Sequence, residues 1–325
     1  MTVPITVLIA AAGQPLLVKR TLDSLAACEQ PSSIRGTLIV ENGPKCGIDE
    51  VCRARPRGER VQYLYVPEAN KSHALNVALT QLPDGLIFFT DDDARFDSRL
   101  LMAYARGAWG ITSGEFYGGP LRVDYEGDTQ PPRWLKACLP KTAQGWELPD
   151  EEKTRLMGRT FLGPNWAAFA ADLWAIGGFE PRLGPGAPTG STGQETEAQK
   201  RLLAHGVKAF YLPDAIAWHL VRAKCLTHDW IVERGYRHGL EWGIRRGRDP
   251  QFTSFKQRMV WLRMARRRLI CRAMRAIGRE RWKLEADYWL SRWQGRWDGI
   301  ALGRRWDTIA VPELPAALKG TRRAA

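Results

Sequence analysis

The apolar run Leu86-Ile87-Phe88-Phe89-Thr90 ends in three consecutive carboxylates, Asp91-Asp92-Asp93. Its length and aromatic, β-branched character are those of a buried strand in a parallel sheet. Such strands direct their carboxyl ends at the crevice where α/β proteins bind ligands. Three adjacent acids repel one another, so folding alone does not favour them there. A cation among them removes the conflict: hard divalent ions such as Mg²⁺ or Mn²⁺ take oxygen ligands and are often shared with substrate phosphates. The same residues would also serve as a solvated acidic turn, or as a cap for a helix starting near Asp97.

Three further segments carry chemistry-bearing side chains. Gly36–Glu41 reads as a strand that ends in an acid and is broken by Asn42-Gly43-Pro44. Asn70-Lys71-Ser72-His73 opens a helix over Ala74–Thr80, with Ser72 the expected N-cap. Gln194-Glu195-Thr196-Glu197 leads into a helix over Thr196–Ala204, followed by the short strand Ala209–Leu212 and then by His219 after the strand-like Ala215–Trp218. His73, His205, His228 and His238 show no comparable pattern.

The elements that must position these residues alternate. Val3–Ala10, Gly36–Glu41, Val61–Val66 and Leu86–Thr90 read as strands, with helices at Leu16–Ala27 and Ala74–Thr80 between them. That alternation predicts βαβ units and a mostly parallel sheet. The middle, about 110–190, is rich in Gly, Pro and Trp and contains loop signals at Gly118-Gly119-Pro120, Gln130-Pro131-Pro132 and Gly163-Pro164-Asn165. A short helix is expected over Ala167–Ile176, and Leu183–Gly193, with four glycines and two prolines, is expected to be a mobile loop.

Composition narrows the class. A hydrophobic fraction of 44% supplies a core for 325 residues, and 26% charged residues is ordinary for a soluble protein. The patch Val3–Ala12 lacks a basic leader and is too short to span a bilayer, so it reads as a core strand. Six scattered cysteines without a CxxC pair argue against a zinc site and fit a reduced, cytoplasmic protein. Residues 251–325 hold 18 Lys/Arg against six acids, whereas residues 1–250 hold 30 against 29. An anion-binding surface therefore belongs to the tail.

The order Glu41-Asn42-Gly43, Lys71…Ala74-Leu75-Asn76, Asp91-Asp92-Asp93, Gly177-Gly178-Phe179, Glu195…Arg201-Leu202-Leu203…Gly206…Pro213…His219 resembles family 2 glycosyltransferases over roughly residues 3–225. The resemblance implies a GT-A (Rossmann-like) α/β fold, a mostly parallel sheet flanked by helices. It divides the chain into a catalytic domain, 1–225, and a basic helical extension, 226–325. It implies an inverting, metal-dependent transferase that takes a nucleotide-diphosphate sugar and an acceptor saccharide or lipid-linked saccharide, in the context of cell-envelope polysaccharide synthesis. Displacing the diphosphate concentrates negative charge that a divalent ion and cationic side chains neutralise.

Residue by residue, the resemblance makes Asp91 and Asp93 the metal-binding pair, since residues two apart in extended chain share a face. Asp92 points the other way, to the ribose or to hold its loop. Lys71 and the helix N–H groups would meet the pyrophosphate, Glu41 the nucleobase, and His219 the metal or diphosphate. Glu195 would be the catalytic base, with Glu197 the alternative. Two departures stand out: Ala10-Ala11-Ala12-Gly13 replaces the usual polar loop after the first strand, and Gln194 replaces the usual first acid of the pair. The acceptor pocket is expected from residues 110–192.

In the tail, Phe255, Met259, Leu262, Leu269, Ala273 and Ile277 recur at helical spacing opposite Lys256, Arg258, Arg263, Arg266, Arg267, Arg268, Arg272 and Arg275. Trp282, Trp289, Trp293, Trp297 and Trp306 follow. Basic residues and tryptophans suit an anionic membrane surface, or a helical extension packed on the catalytic domain. Two competing functions are a sugar nucleotidyltransferase, which would want a Gly-rich, basic first loop, and a nucleic-acid binder using the tail. The latter leaves the acids without purpose, so no nucleic acid is expected.

Overall fold

The computed structural model describes residues 2–128, 130–149 and 152–319. Residues 320–325 of the expected extension lie outside them. The first half is β1 (Ile5–Ala11), α1 (Pro15–Ala26), β2 (Ile34–Asn42), α2 (Ile48–Arg53), β3 (Val61–Val66), α3 (Lys71–Leu79), β4 (Leu86–Asp91), β5 (Ala94–Phe96) and α4 (Leu100–Gly107). Strands β3, β2, β1 and β4 lie side by side, all parallel. Every residue of β1 is buried, as expected for a strand covered on both faces. The register sets Ala10 against both Val40 and Asp91, so the acids at the end of β4 adjoin the loop after β1.

Helix α3 begins three residues earlier than expected. Its cap is Asn70, whose side-chain oxygen accepts from the His73 N–H at 3.0 Å. Ser72 is instead buried within the first turn, and its hydroxyl donates to the Leu183 carbonyl at 2.6 Å.

The second half adds β6 (Glu115–Gly118), β7 (Leu121–Tyr125), α5 (Arg133–Lys136), β8 (Thr154–Leu156), β9 (Trp166–Phe169), α6 (Ala170–Ala175), α7 (Gln194–Ala204), β10 (Lys208–Tyr211) and β11 (Ala217–Val221). The eight-stranded sheet runs β3-β2-β1-β4-β9-β6-β10-β8, with β9 antiparallel to both neighbours. The expected helix over Ala167–Ile176 is thus two elements. Trp166–Phe169 fills the slot between β4 and β6, where Trp166 stacks on Phe89 at 4.6 Å, and only Ala170–Ala175 is helical. A second sheet, β5-β11-β7, places His219 in mid-strand opposite Ala94, not after a strand. The Gly/Pro-rich segment Leu183–Gly193 is tied down rather than free. It receives the Ser72 hydroxyl and the Lys71 N–H, and Thr189 closes it onto the Arg182 carbonyl.

The chain ends in α8 (His228–Gly247), α9 (Ser254–Ala276), α10 (Glu280–Arg304) and the short α11 (Ala316–Lys319). Helices α8 and α10 cross at touching distance. A Cβ on Gly239 would stand 2.2 Å from the Arg292 carbonyl, and one on Gly295 would stand 2.1 Å from that of Tyr236. Ile231, Leu284 and Tyr288 from this pair share a core with Tyr125, Leu139 and Val221. The expected apolar row of α9 does not pack. Phe255, Leu262, Leu269 and Ile277 are exposed, and the row that faces inward is Val260, Met264 and Cys271. Trp282, Trp289, Trp293 and Trp297 are half-buried and Trp306 is buried, with Arg267 lying over Trp289 and Arg296 over Trp293. All six cysteines are free thiols. Among the described residues no helix is long and apolar enough to cross a membrane.

Candidate active site

Asp91 closes β4, and Asp92 and Asp93 form the turn into β5. One carboxylate oxygen each from Asp91 and Asp93 and a ring nitrogen of His219 lie within 4.8 Å of one another. The His219 Nδ1 faces the Thr142 carbonyl at 3.0 Å, so Nδ1 carries the proton and Nε2 turns to Asp93 Oδ1 at 3.4 Å. Asp93 Oδ1 is nonetheless buried without a hydrogen-bond partner. A buried, orphaned carboxylate oxygen beside a second acid and an imidazole fits a divalent cation.

Electrostatics match that geometry. Burial would raise the Asp93 carboxyl, but His219, with Arg222 and Lys71, holds it below the usual carboxylate range. Burial would lower His219, but Asp93, Asp91 and the Thr142 carbonyl raise it overall. Asp92 is pushed up to about 7 by burial and by repulsion from Asp93 and Asp91. It turns away from the cluster, accepts from the Ala12 N–H at 3.3 Å and, through its carbonyl, from Thr21 Oγ1 at 3.0 Å. Its visible work is to hold the Ala-rich loop after β1 against the acids.

Lys71 connects the two acidic segments. Its Nζ donates to Asp91 Oδ1 at 2.6 Å and to Glu195 Oε1 at 3.0 Å. Burial opposes its charge, but the two carboxylates outweigh that and hold the ammonium protonated well above the ordinary lysine range. Gln194, the departure noted above, donates to the same Glu195 oxygen at 2.6 Å. Glu195 packs closely over Gly163, where a Cβ would stand 2.9 Å from Oε1 and make the carboxylate shift.

Two other candidates lie elsewhere. Glu41 is fully buried. One of its oxygens accepts from the Cys46 N–H at 2.8 Å and from the Cys46 thiol, and the other accepts from the Tyr63 hydroxyl. It fixes the loop after β2 and presents no free carboxylate to a base. Glu197 is committed to Arg201 through two contacts of 2.8 and 2.7 Å, and Arg201 continues to the carbonyls of Ile176 and Gly178. That network, with Asn76 bonded in both directions to the Phe179 backbone, holds α7 and α3 to the Gly177-Gly178-Phe179 step.

Residues 3–234 match the family model described as glycosyltransferase like family 2. The chain belongs to this family. Several solved structures share its fold. GalNAc-T7, solved with UDP, GalNAc and Mn²⁺, superposes with a TM-score of 0.54 at 11% identity, over 74% of this chain and 50% of that one. The present chain thus spans half the length of GalNAc-T7. PcManGT, a mannosyltransferase from Pyrobaculum calidifontis solved with GDP-Man and Mn²⁺, gives 0.53 at 17% identity, over 100% and 80%. TarS 1–349 from S. aureus, solved with UDP-GlcNAc, gives 0.51 at 13% identity, over 74% and 66%. No curated protein matches the chain in sequence.

The chain also has a cavity of about 370 Å³ beside Glu195, and it is not built from residues 110–192 alone. Arg234, His238, Glu241 and Arg245 of α8 and Arg292 of α10 form one wall. None of these was marked by sequence pattern, because arginines on a basic tail look alike whether they face solvent or a site. A larger cleft, about 470 Å³ and lined by Gln30, Thr37 and Arg60, opens at the amino ends of the strands, away from the acids.

Proposed function

We propose that this family member is an inverting, divalent-metal-dependent glycosyltransferase. It moves a sugar from a nucleotide-diphosphate sugar to a saccharide or lipid-linked saccharide. The observation that carries this reading is the single Lys71 ammonium gripping both Asp91, beside the Asp93–His219 cluster, and Glu195, beside a cavity. A leaving-group site and a base site therefore abut. The UDP and Mn²⁺ in the GalNAc-T7 structure and the GDP-Man and Mn²⁺ in the PcManGT structure support the donor assignment.

In this reading Asp91, Asp93 and His219 would hold Mn²⁺ or Mg²⁺, which when bound would neutralise charge on the departing diphosphate. Lys71 adds a positive charge to the same side. Glu195 takes the proton from the attacking acceptor hydroxyl, and inversion needs only that one carboxylate. Asp92 and Glu41 shape the nucleotide pocket through the loops they hold, and Glu197 positions α7. Thermal shift with a panel of nucleotide diphosphates, with and without Mn²⁺, tests the donor assignment, because a ligand selective for the native state raises its apparent stability. A manganese-dependent shift for one base is expected. No shift with any nucleotide diphosphate would overturn the reading.

The α9 surface supports peripheral contact with anionic lipid. Its outward row of Phe255, Trp261, Leu262, Leu269 and Ile277 is exposed, and Lys256, Arg258, Arg263, Arg266, Arg268 and Arg272 are exposed with it. Apolar side chains flanked by cations are the pattern of an interfacial helix. Vesicle flotation is expected to recover the protein on phosphatidylserine-containing but not neutral vesicles. Equal recovery on both would remove the idea.

A further inference from the structure

We infer that the cavity beside Glu195 receives an anionic group, a phosphate or a carboxylate, carried by the acceptor, and that Arg234, Arg245 and Arg292 bind it. This rests on Glu195 being the base: the acceptor hydroxyl must reach that carboxylate. The cavity contains Glu195 but none of Asp91, Asp93 or His219, so it lies on the acceptor side of the base rather than on the donor side.

Its lining is unbalanced in charge: Lys141, Arg234, Arg245 and Arg292 stand against Glu195 and Glu241. Arg237 pairs with Glu233, Arg246 with Asp249 and Arg275 with Asp287. Among the described residues, Arg234, Arg245 and Arg292 have no such pair, although they line the cavity together. The Nε of Arg234 and the Nε of Arg292 are buried without a hydrogen-bond partner. Arg292 spends one Nη on the Tyr288 hydroxyl at 2.5 Å. Buried guanidinium groups left unpaired are costly, and planar bidentate recognition of phosphate or carboxylate is their usual use.

The neighbours point the same way. Burial, then Arg237, works against the Arg234 charge, while Glu195 and Asp91 favour it, so an incoming anion would relieve the strain on that charge. Glu241, the other carboxyl on this wall, is raised by burial despite the surrounding arginines and forms no ion pair among the described residues. His238 is pushed down to about 3 by burial and then by Arg234 and Arg292, so at neutral pH it is an uncharged imidazole suited to a sugar hydroxyl. The cradle exists only because α8 and α10 approach to backbone contact at Gly239 and Gly295, which brings Arg292 to the α8 side chains.

The test is calorimetric titration of the full chain in EDTA with glucose 6-phosphate, glucuronate and glucose as probes. Both charged sugars are expected to bind at least about tenfold more tightly than glucose, since one charge-assisted contact accounts for that factor. Arg234→Gln and Arg292→Gln should each lose about tenfold, and Arg245→Gln, at the exposed rim, should lose less in the same direction. Arg234→Lys should recover part of the loss.

Saturating nucleotide diphosphate with Mn²⁺ should leave glucose 6-phosphate bound. Displacement would place these arginines on the donor side and overturn the inference, as would equal affinity for glucose and its phosphate in the unaltered protein. Failure of every nucleotide diphosphate to bind with Mn²⁺ would instead strike the donor reading, and the sugar-phosphate titration would still report separately on the cavity.

Discussion

Replacing Lys71 with methionine retains the stem between α3 and β4 and deletes only the ammonium. That group lies 2.6 Å from Asp91 Oδ1, and the two side chains are 15% and 25% exposed. It lies 3.0 Å from Glu195 Oε1, a side chain only 16% exposed. Removing one partner of a buried pair costs about 3–5 kcal/mol, because the stranded charge stays desolvated. Here two acids are stranded, but each can rehydrate from the open side. The loss should therefore sit at the lower end of that range, about 3 kcal/mol.

Denaturant unfolding in EDTA, followed by tryptophan fluorescence, measures it. Manganese should then do more for the variant than for the unaltered protein. A ligand at 100 times its Kd stabilises by about 2.7 kcal/mol. On acids no longer neutralised by Lys71 the gain should be larger by about 1 kcal/mol, a modest share of a partly screened ion pair. An unchanged unfolding midpoint in EDTA, together with an equal manganese gain in both proteins, would show that Lys71 does not neutralise this cluster.

Other perturbations reach different parts of the structure. Glu195→Gln should cut single-turnover transfer by a factor of about 10²–10⁴, the usual contribution of a general base, while manganese-dependent nucleotide binding persists. Loss of binding with retained turnover would contradict the assignment. Gly239→Ala puts a Cβ 2.2 Å from the Arg292 carbonyl, so denaturant unfolding should show a loss of at least about 1–3 kcal/mol from forcing α8 and α10 apart. His238, held neutral down to about 3 against an ordinary value of 6.5, binds its proton more readily in the unfolded chain. Its contribution is therefore complete above about pH 6.5 and is lost as pH falls towards 3. The stability of His238→Gln should fall less steeply across that window, as read from unfolding midpoints in a pH series.

The first half was legible because β1 and β4 are buried on both faces and read as apolar runs, with Glu41 and Asp91 marking where β2 and β4 stop. What those acids do was less legible. Glu41 and Asp91 stand alike at the carboxyl ends of β2 and β4, the two strands that flank β1, yet only the fold shows that Cys46 and Tyr63 consume Glu41. Trp166–Phe169 runs into the alanine-rich Ala170–Ala175 without a breaker, and nothing local marks the point where sheet pairing overrides helix spacing. Glycine and proline made Leu183–Gly193 look free, although hydrogen bonds to the first turn of α3 fix it.

In α9 two apolar rows compete, and the smaller, Val260–Met264–Cys271, wins the contact with α10. The arginines of the cavity wall were the hardest to find. Arg234 and Arg292 stand 58 positions apart, and only the glycine-to-backbone contact between two helices brings them to one site.

The most direct test is anomalous scattering from Mn²⁺ in crystals grown with a nucleotide diphosphate. A single strong peak bonded to carboxylate oxygens of Asp91 or Asp93, with His219 Nε2 beside it and the diphosphate on its far side, is the expected result. A peak elsewhere in the molecule, or an ordered diphosphate with no metal near those three residues, would contradict it.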